Sequence, residues 1–133
     1  MNTEQSKKVV LKLIESMNNR DLKGSLDLLA EDLAWWVIGS IPGVSGTRNK
    51  QEMAKQFQWL FGTISGSPWI VDHIIGEGDW VAAEVSINGK TPKGNPYQQK
   101  YHFKFEVKEG KIRTVRAYND TALIKEVLEE AQR

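Results

Sequence analysis

Apolar positions recur every three to four residues in the first half of the chain and every two in the second. Within Thr3 to Asn18, the residues Val9, Val10, Leu13, Ile14 and Met17 fall on one face of a helix. Asp21 is placed to cap a second, short helix carrying Leu22, Leu26 and Leu29, which is expected to end at the acidic pair Glu31 and Asp32. Ala34 to Ile38 predicts a short strand, and the stretch from Gly39 to Gly46, with Pro42 and three glycines, predicts a loop. Asn49 followed by Glu52 has the spacing of a capping box. It opens a third helix with a broad aromatic face of Met53, Phe57, Leu60 and Phe61.

From Pro68 onward four segments alternate: Pro68 to Ile75, Trp80 to Ile87, Tyr97 to Val107 and Lys111 to Tyr118. Turn signals separate them at Gly76 to Asp79, at Asn88 with Gly89, at Gly94 with Asn95, and at Glu109 with Gly110. These segments predict an antiparallel meander, closed by a helix from about Asp120 with Ala122, Ile124, Val127 and Leu128 on its apolar face. Helices followed by a curved antiparallel sheet make an α+β layer architecture. Alternation gives the inner face Val81, Ala83, Val85 and Ile87, then Tyr101, Phe103, Phe105 and Val107, then Val115, Ala117 and Asn119. Glu84, Ser86, His102, Lys104, Glu106, Arg116 and Tyr118 fall on the outer face.

At 133 residues and 40% hydrophobic content the chain reads as one domain, residues 1–133, with an apolar core of its own. The absence of cysteine excludes disulfides, thiolate metal sites and a cysteine nucleophile. Residues Met1 to Val10 are polar and charged, unlike an export signal, and the expected location is cytoplasmic. No apolar run approaches the roughly 20 residues that span a bilayer. The formal net charge is +1 with both signs interleaved, so neither nucleic acid nor a membrane surface is an expected partner.

Several motifs occur together and in order. Leu29-Ala30-Glu31-Asp32 runs into a Trp-rich strand, Gly-Ser-Ile-Pro-Gly-Val-Ser-Gly-Thr occupies 39 to 47, and Tyr101-His102-Phe103-Lys104-Phe105-Glu106-Val107 follows. Gly110-Lys111-Ile112 then leads into Arg116-Ala117-Tyr118-Asn119-Asp120-Thr121-Ala122-Leu123. Over nearly the whole chain this order resembles the SnoaL-like and ketosteroid-isomerase-like branch of the nuclear-transport-factor-2-like superfamily. The resemblance implies a cystatin-like roll: a cone-shaped curved antiparallel sheet, covered on its concave face by the N-terminal helices, with a short C-terminal helix. It also points toward a homodimer, for which the mixed-charge outer face is suited.

Function does not follow from such a fold, which hosts isomerases, cyclases, epoxide hydrolases and binding proteins. In related ketosteroid isomerases a carboxylate base works with an oxyanion hole of tyrosine and protonated aspartate. On this resemblance the tyrosine falls at about Leu13, the base at about Val37, and the second aspartate near Tyr101 or His102. Related limonene epoxide hydrolases use an Asp-Arg-Asp group, which falls at about Ile87, Val85 and Ala117; their water-positioning tyrosine and asparagine fall at Trp35 and Val37. Neither mechanism transfers intact.

The catalytic set is therefore left unassigned, with Tyr101, His102 and Asp120 as candidates. His102 is a candidate because histidine is the usual acid-base residue type, but regular alternation puts it outside unless a β-bulge re-aims it. Asp120 reads most simply as a helix cap. Trp35, Val37, Val85, Ile87, Tyr101, Phe103, Ala117 and Asn119, joined by Leu13 and Met17 from the first helix, are expected to line an apolar chamber with few polar handles. Two distant histidines give no case for metal, and neither reading requires a cofactor. One reading is an isomerase, cyclase or hydratase acting on a small apolar oxygenated compound; the other is a non-catalytic ligand-binding or dimeric accessory protein.

Overall fold

The computed structural model describes residues 2–133. Four helices, α1 (Thr3–Asn18), α2 (Leu22–Asp27), α3 (Lys50–Thr63) and α4 (Thr121–Ala131), combine with seven strands. The strands are β1 (Leu29–Val37), β2 (Gly46–Arg48), β3 (Ser65–Gly66), β4 (Ile70–Glu77), β5 (Trp80–Lys90), β6 (Pro96–Lys108) and β7 (Lys111–Asn119). They form one curved, unclosed sheet in the order β2-β1-β7-β6-β5-β3, with β4 also paired to β5. Among the described residues, no helix is long and apolar enough to cross a membrane.

The helix starts follow from their caps. The Asn49 side chain accepts the Glu52 N–H while the Glu52 side chain accepts the Asn49 N–H, closing the capping box of α3. Asp21 caps α2 and Asp120 caps α4 in the same acceptor role. The inner face is as alternation predicts: Val81, Ala83, Val85, Ile87, Phe103, Phe105, Val107, Val115 and Ala117 are all buried. Over that face α1 packs on β4 and β5, and α3 packs on β1 and β2.

Three expectations need correction. The second helix stops at Asp27, and Leu29–Asp32 belong to β1, because Leu29 pairs with Ile112 of β7 and the Leu28 carbonyl accepts the Ile112 N–H at 2.8 Å. Sheet pairing there prevails over helical spacing. The sheet is not wholly antiparallel, since β1 runs parallel to β7. Asn88-Gly89 is not a turn: β5 continues to Lys90 and the chain reverses at Thr91–Asn95. Gly89 is there for space, because a Cβ would lie 2.6 Å from the Ser65 carbonyl oxygen of the neighbouring β3. The short strands β2 and β3 carry too few residues to show a period.

Candidate functional site

The register of the strands assembles a small inner patch. Tyr101 pairs with Asn119 and Phe103 with Ala117 across β6 and β7, while Val37 pairs with Ala117 and Trp35 with Val115 across β1 and β7. The aromatic face of α3 lies above it. Phe57 meets the Trp35 ring edge-on at 5.7 Å, and Trp35 in turn meets Phe103 at 6.2 Å. Between sheet and helix remains a partly open cavity of about 80 Å³. Its buried walls include Trp35, Phe57, Trp69, Tyr97, Phe103 and Ala117, whereas Val37, Val44, Arg48, Gln56, Trp59 and Leu60 are half-buried and form its rim.

Of the residues expected to line a chamber, Trp35, Val37, Tyr101, Phe103, Ala117 and Asn119 do, as does Met17. Val85, Ile87 and Leu13 are buried but lie away from the cavity. The reason for the two strand residues is coverage: α1 seals β5, so the cavity opens only where the sheet is roofed by α3. His102 is exposed on the outer face, opposite Tyr118 and Glu84. The register is regular through Tyr101, His102 and Phe103, and the shift in β6 comes later, between Glu106 and Val107. No bulge re-aims the imidazole. The Asp120 carboxylate accepts the N–H groups of Ala122 and Leu123 at the start of α4. No aspartate, glutamate or histidine is among the lining residues.

What faces the cavity instead is a chain of neutral polar groups. Gln99 is fully buried, and its Oε1 accepts the Asp120 N–H at 2.9 Å and the Lys100 N–H at 3.1 Å. That fixes its amide the other way round, so Nε2 donates to the Asp120 carbonyl at 3.0 Å and to the Tyr97 hydroxyl at 3.4 Å. The Tyr97 hydroxyl lies 3.1 Å from that of Tyr101. A hydroxyl that accepts from Gln99 can accept a second bond, so either tyrosine can donate within this pair, and the Trp69 indole N–H also acts on the Tyr101 oxygen. One of the two hydroxyl hydrogens closes the pair and the other has no acceptor among the described residues, and both tyrosines line the cavity. Bonds passed along such a chain polarise one another and strengthen the last donor.

Trp69 is itself fixed by Asn18, which accepts the Trp69 N–H at 2.7 Å and donates to its carbonyl at 3.0 Å. Burial pushes the Tyr101 phenol well above its ordinary pKa, with Tyr97 adding to the rise, and burial raises Tyr97 also. Both are neutral donors at physiological pH. Beside Tyr101, the Asn119 Oδ1 is buried without a hydrogen-bond partner, an arrangement that costs about 1–3 kcal/mol when left unsatisfied. Below the rim residues Arg48 and Gln56, the wall thus offers one free hydroxyl hydrogen and one vacant acceptor on an apolar background.

Arg48, Gln56, Trp69 and Tyr97 were not expected at the site. Tyr97 shares strand parity with Tyr101 and Phe103, so alternation carries its signal. Arg48 sits on β2, which has no readable period, and Trp69 precedes β4 in an irregular stretch.

Solved structures share this architecture at low sequence identity. A candidate isomerase from Bacillus subtilis superposes with a TM-score of 0.86 at 22% identity, covering 97% of this chain and 96% of that one. A candidate polyketide cyclase from Streptomyces antibioticus gives 0.76 at 20% identity, covering 94% and 99%. An epoxide hydrolase from M. tuberculosis, of the limonene-epoxide-hydrolase-like type, gives 0.73 at 22% identity, covering 96% and 92%. At such identities the likeness concerns the fold. No curated protein matches the chain in sequence. Residues 10–115 match the SnoaL-like domain, and the chain belongs to that family.

Proposed function

We propose that Tyr97 donates to Tyr101 and that this protein binds a small, mostly apolar molecule bearing a carbonyl or similar oxygen, which accepts from the Tyr101 hydroxyl, with a neighbouring hydroxyl or N–H reaching Asn119. The observation that carries the reading is the fixed chain Gln99, Tyr97, Tyr101, which leaves one hydrogen unclaimed at an apolar cavity beside the orphaned Asn119 oxygen. Polyketides and epoxides, the compound classes in the names of two structural neighbours, are oxygenated carbon skeletons of this kind.

A donor aimed at a carbonyl oxygen also stabilises an oxyanion, the electrostatic half of an isomerase or cyclase reaction. The other half is a group that moves a proton at carbon, and the wall holds neither carboxylate nor imidazole. Binding is therefore the primary reading, and catalysis by polarisation of the bound carbonyl is the second. The cavity is about half the ~150 Å³ that accommodates benzene. Entry of a ring requires the half-buried Trp59 and Leu60 on the rim to swing outward.

Calorimetric titration with acetophenone, 1-phenylethanol and ethylbenzene tests the reading. Tyr101→Phe should weaken acetophenone by about 1 kcal/mol, roughly fivefold, and Asn119→Ala should weaken 1-phenylethanol similarly. Ethylbenzene should bind all three proteins alike. Absence of binding by any probe to the wild type would reject the reading.

The proposal extends to a homodimer through the outer sheet face. Ile70 and Ile75 there are 52% and 54% exposed and Trp80 is 36% exposed, among the charges of Glu84, Lys104 and Arg116. Sedimentation equilibrium at micromolar concentration should give twice 15.1 kDa. A single 15.1 kDa species would reject the dimer.

A further inference from the structure

The cavity rim carries one full charge, Arg48, which closes β2 immediately before α3. Two of the five guanidinium N–H groups are committed, to the carbonyls of Val44 and Gly43, each at 2.6 Å. The other three have no partner among the described residues, and no described carboxylate forms an ion pair with Arg48. Glu52 is the one charge acting on it from nearby, and the Glu52 carboxylate is engaged with the Asn49 N–H at 2.9 Å. Burial pushes the guanidinium below its ordinary pKa, the mark of a partly desolvated cation that lacks full compensation.

A half-buried guanidinium with N–H groups left over is served by water or by an anion that reaches the rim. Its planar fork suits a carboxylate, which can take two parallel N–H bonds. The two bonds to the 39–46 loop hold the guanidinium in place on the rim, so little side-chain freedom is lost when an anion arrives. Everything deeper in the cavity is neutral.

We propose that Arg48 selects small apolar organic acids, seating their carboxylate at the rim while the hydrocarbon part enters among Trp35, Phe57 and Phe103. This rests on the reading of the cavity as a ligand site and adds to it the class of ligand. Arginine at the rim, tyrosine and asparagine at depth, would thus read the two ends of one molecule.

The test uses 3-phenylpropanoate and its neutral counterpart 3-phenylpropan-1-ol, titrated against wild type, Arg48→Gln and Arg48→Lys at pH 7. Wild type should bind the acid roughly tenfold or more tighter than the alcohol, the usual advantage of a charge-assisted bond. Arg48→Gln should erase that preference while changing the affinity for the alcohol less than about twofold. Arg48→Lys, keeping the charge without the fork, should retain part of it. Thermal melting of each variant reports any loosening of the 39–46 loop. Should the alcohol bind wild type as tightly as the acid, or Arg48→Gln weaken both probes equally, Arg48 is a loop anchor only: the proposal fails while the pocket reading stands. If neither probe nor acetophenone binds wild type, the pocket reading fails and this proposal with it.

Discussion

The two faces of strands β5 to β7 are built from alternate residues of the same segments, yet their chemistry hardly overlaps. On the inner side Tyr101, Phe103, Ala117 and Asn119 line the cavity, with Tyr101 and Phe103 parallel at 5.2 Å. On the outer side Arg116 lies 4.1 Å over the Trp36 ring and hydrogen-bonds Tyr118, Lys104 lies 4.9 Å over Trp80, and Thr114 donates to Glu106 at 2.9 Å. Histidines and carboxylates are all absent from the cavity wall, and His102 sits between Glu84 and Tyr118 outside. Proton-carrying groups and ligand-facing groups are thus kept on opposite sides of one sheet. That separation is why recognition, and not general acid-base catalysis, is the reading favoured for the inner face.

The sharpest way to break this contrast is to truncate neighbours of opposite parity. Phe103→Ala should cost about 3–5 kcal/mol, since it removes a buried ring that touches Trp35, Tyr101 and Phe105. His102→Ala, one residue earlier, should stay within about 0.5 kcal/mol. Comparable costs in urea denaturation would mean that the face assignment is wrong.

Next in size is Ala117→Leu, which adds bulk to the wall of the cavity. A filled core would resist it by about 1–3 kcal/mol. A cavity should absorb part of the side chain, so that stability falls less than this while acetophenone binding is lost. Full destabilisation with binding retained would overturn the assignment of Ala117 to the site.

The smallest effect is one of pH. The folded-state pKa values of Tyr97 and Tyr101 are raised from 10.0, so the folded protein keeps protons that the unfolded chain gives up. Their contribution is fully present below about pH 10 and is lost as pH rises above it toward the folded values. The stability of Tyr101→Phe should accordingly fall less steeply than that of wild type between pH 9.5 and pH 11. Parallel slopes would remove Tyr101 from the buried chain.

Much of this was readable in the sequence because it depends on period. The limits of α1 follow from one apolar stripe, α3 from one capping box, and the sheet faces from strict alternation, which also placed Tyr101, Phe103, Ala117 and Asn119 together. What escaped depends on non-local geometry. That α3 and not α1 covers the open part of the sheet decides that Val85 and Ile87 are core while Met53 and Phe57 face the cavity. Leu29 satisfies both helical spacing and strand burial, and only its pairing with Ile112 settles the choice. Gln99 is a buried amide on an apolar face, an anomaly whose meaning appears only when Tyr97, Tyr101 and the Asp120 backbone converge on it.

The central claim is that Tyr101 donates its hydrogen to an oxygen of the bound molecule, and the carbonyl carbon of the ligand reports this directly. Acetophenone labelled with ¹³C at its carbonyl should show a downfield shift on binding wild type, as expected when a strong donor meets the oxygen, and lose most of that shift in Tyr101→Phe while still bound. A carbonyl resonance that does not move on binding wild type, or that moves equally in both proteins, would contradict the account.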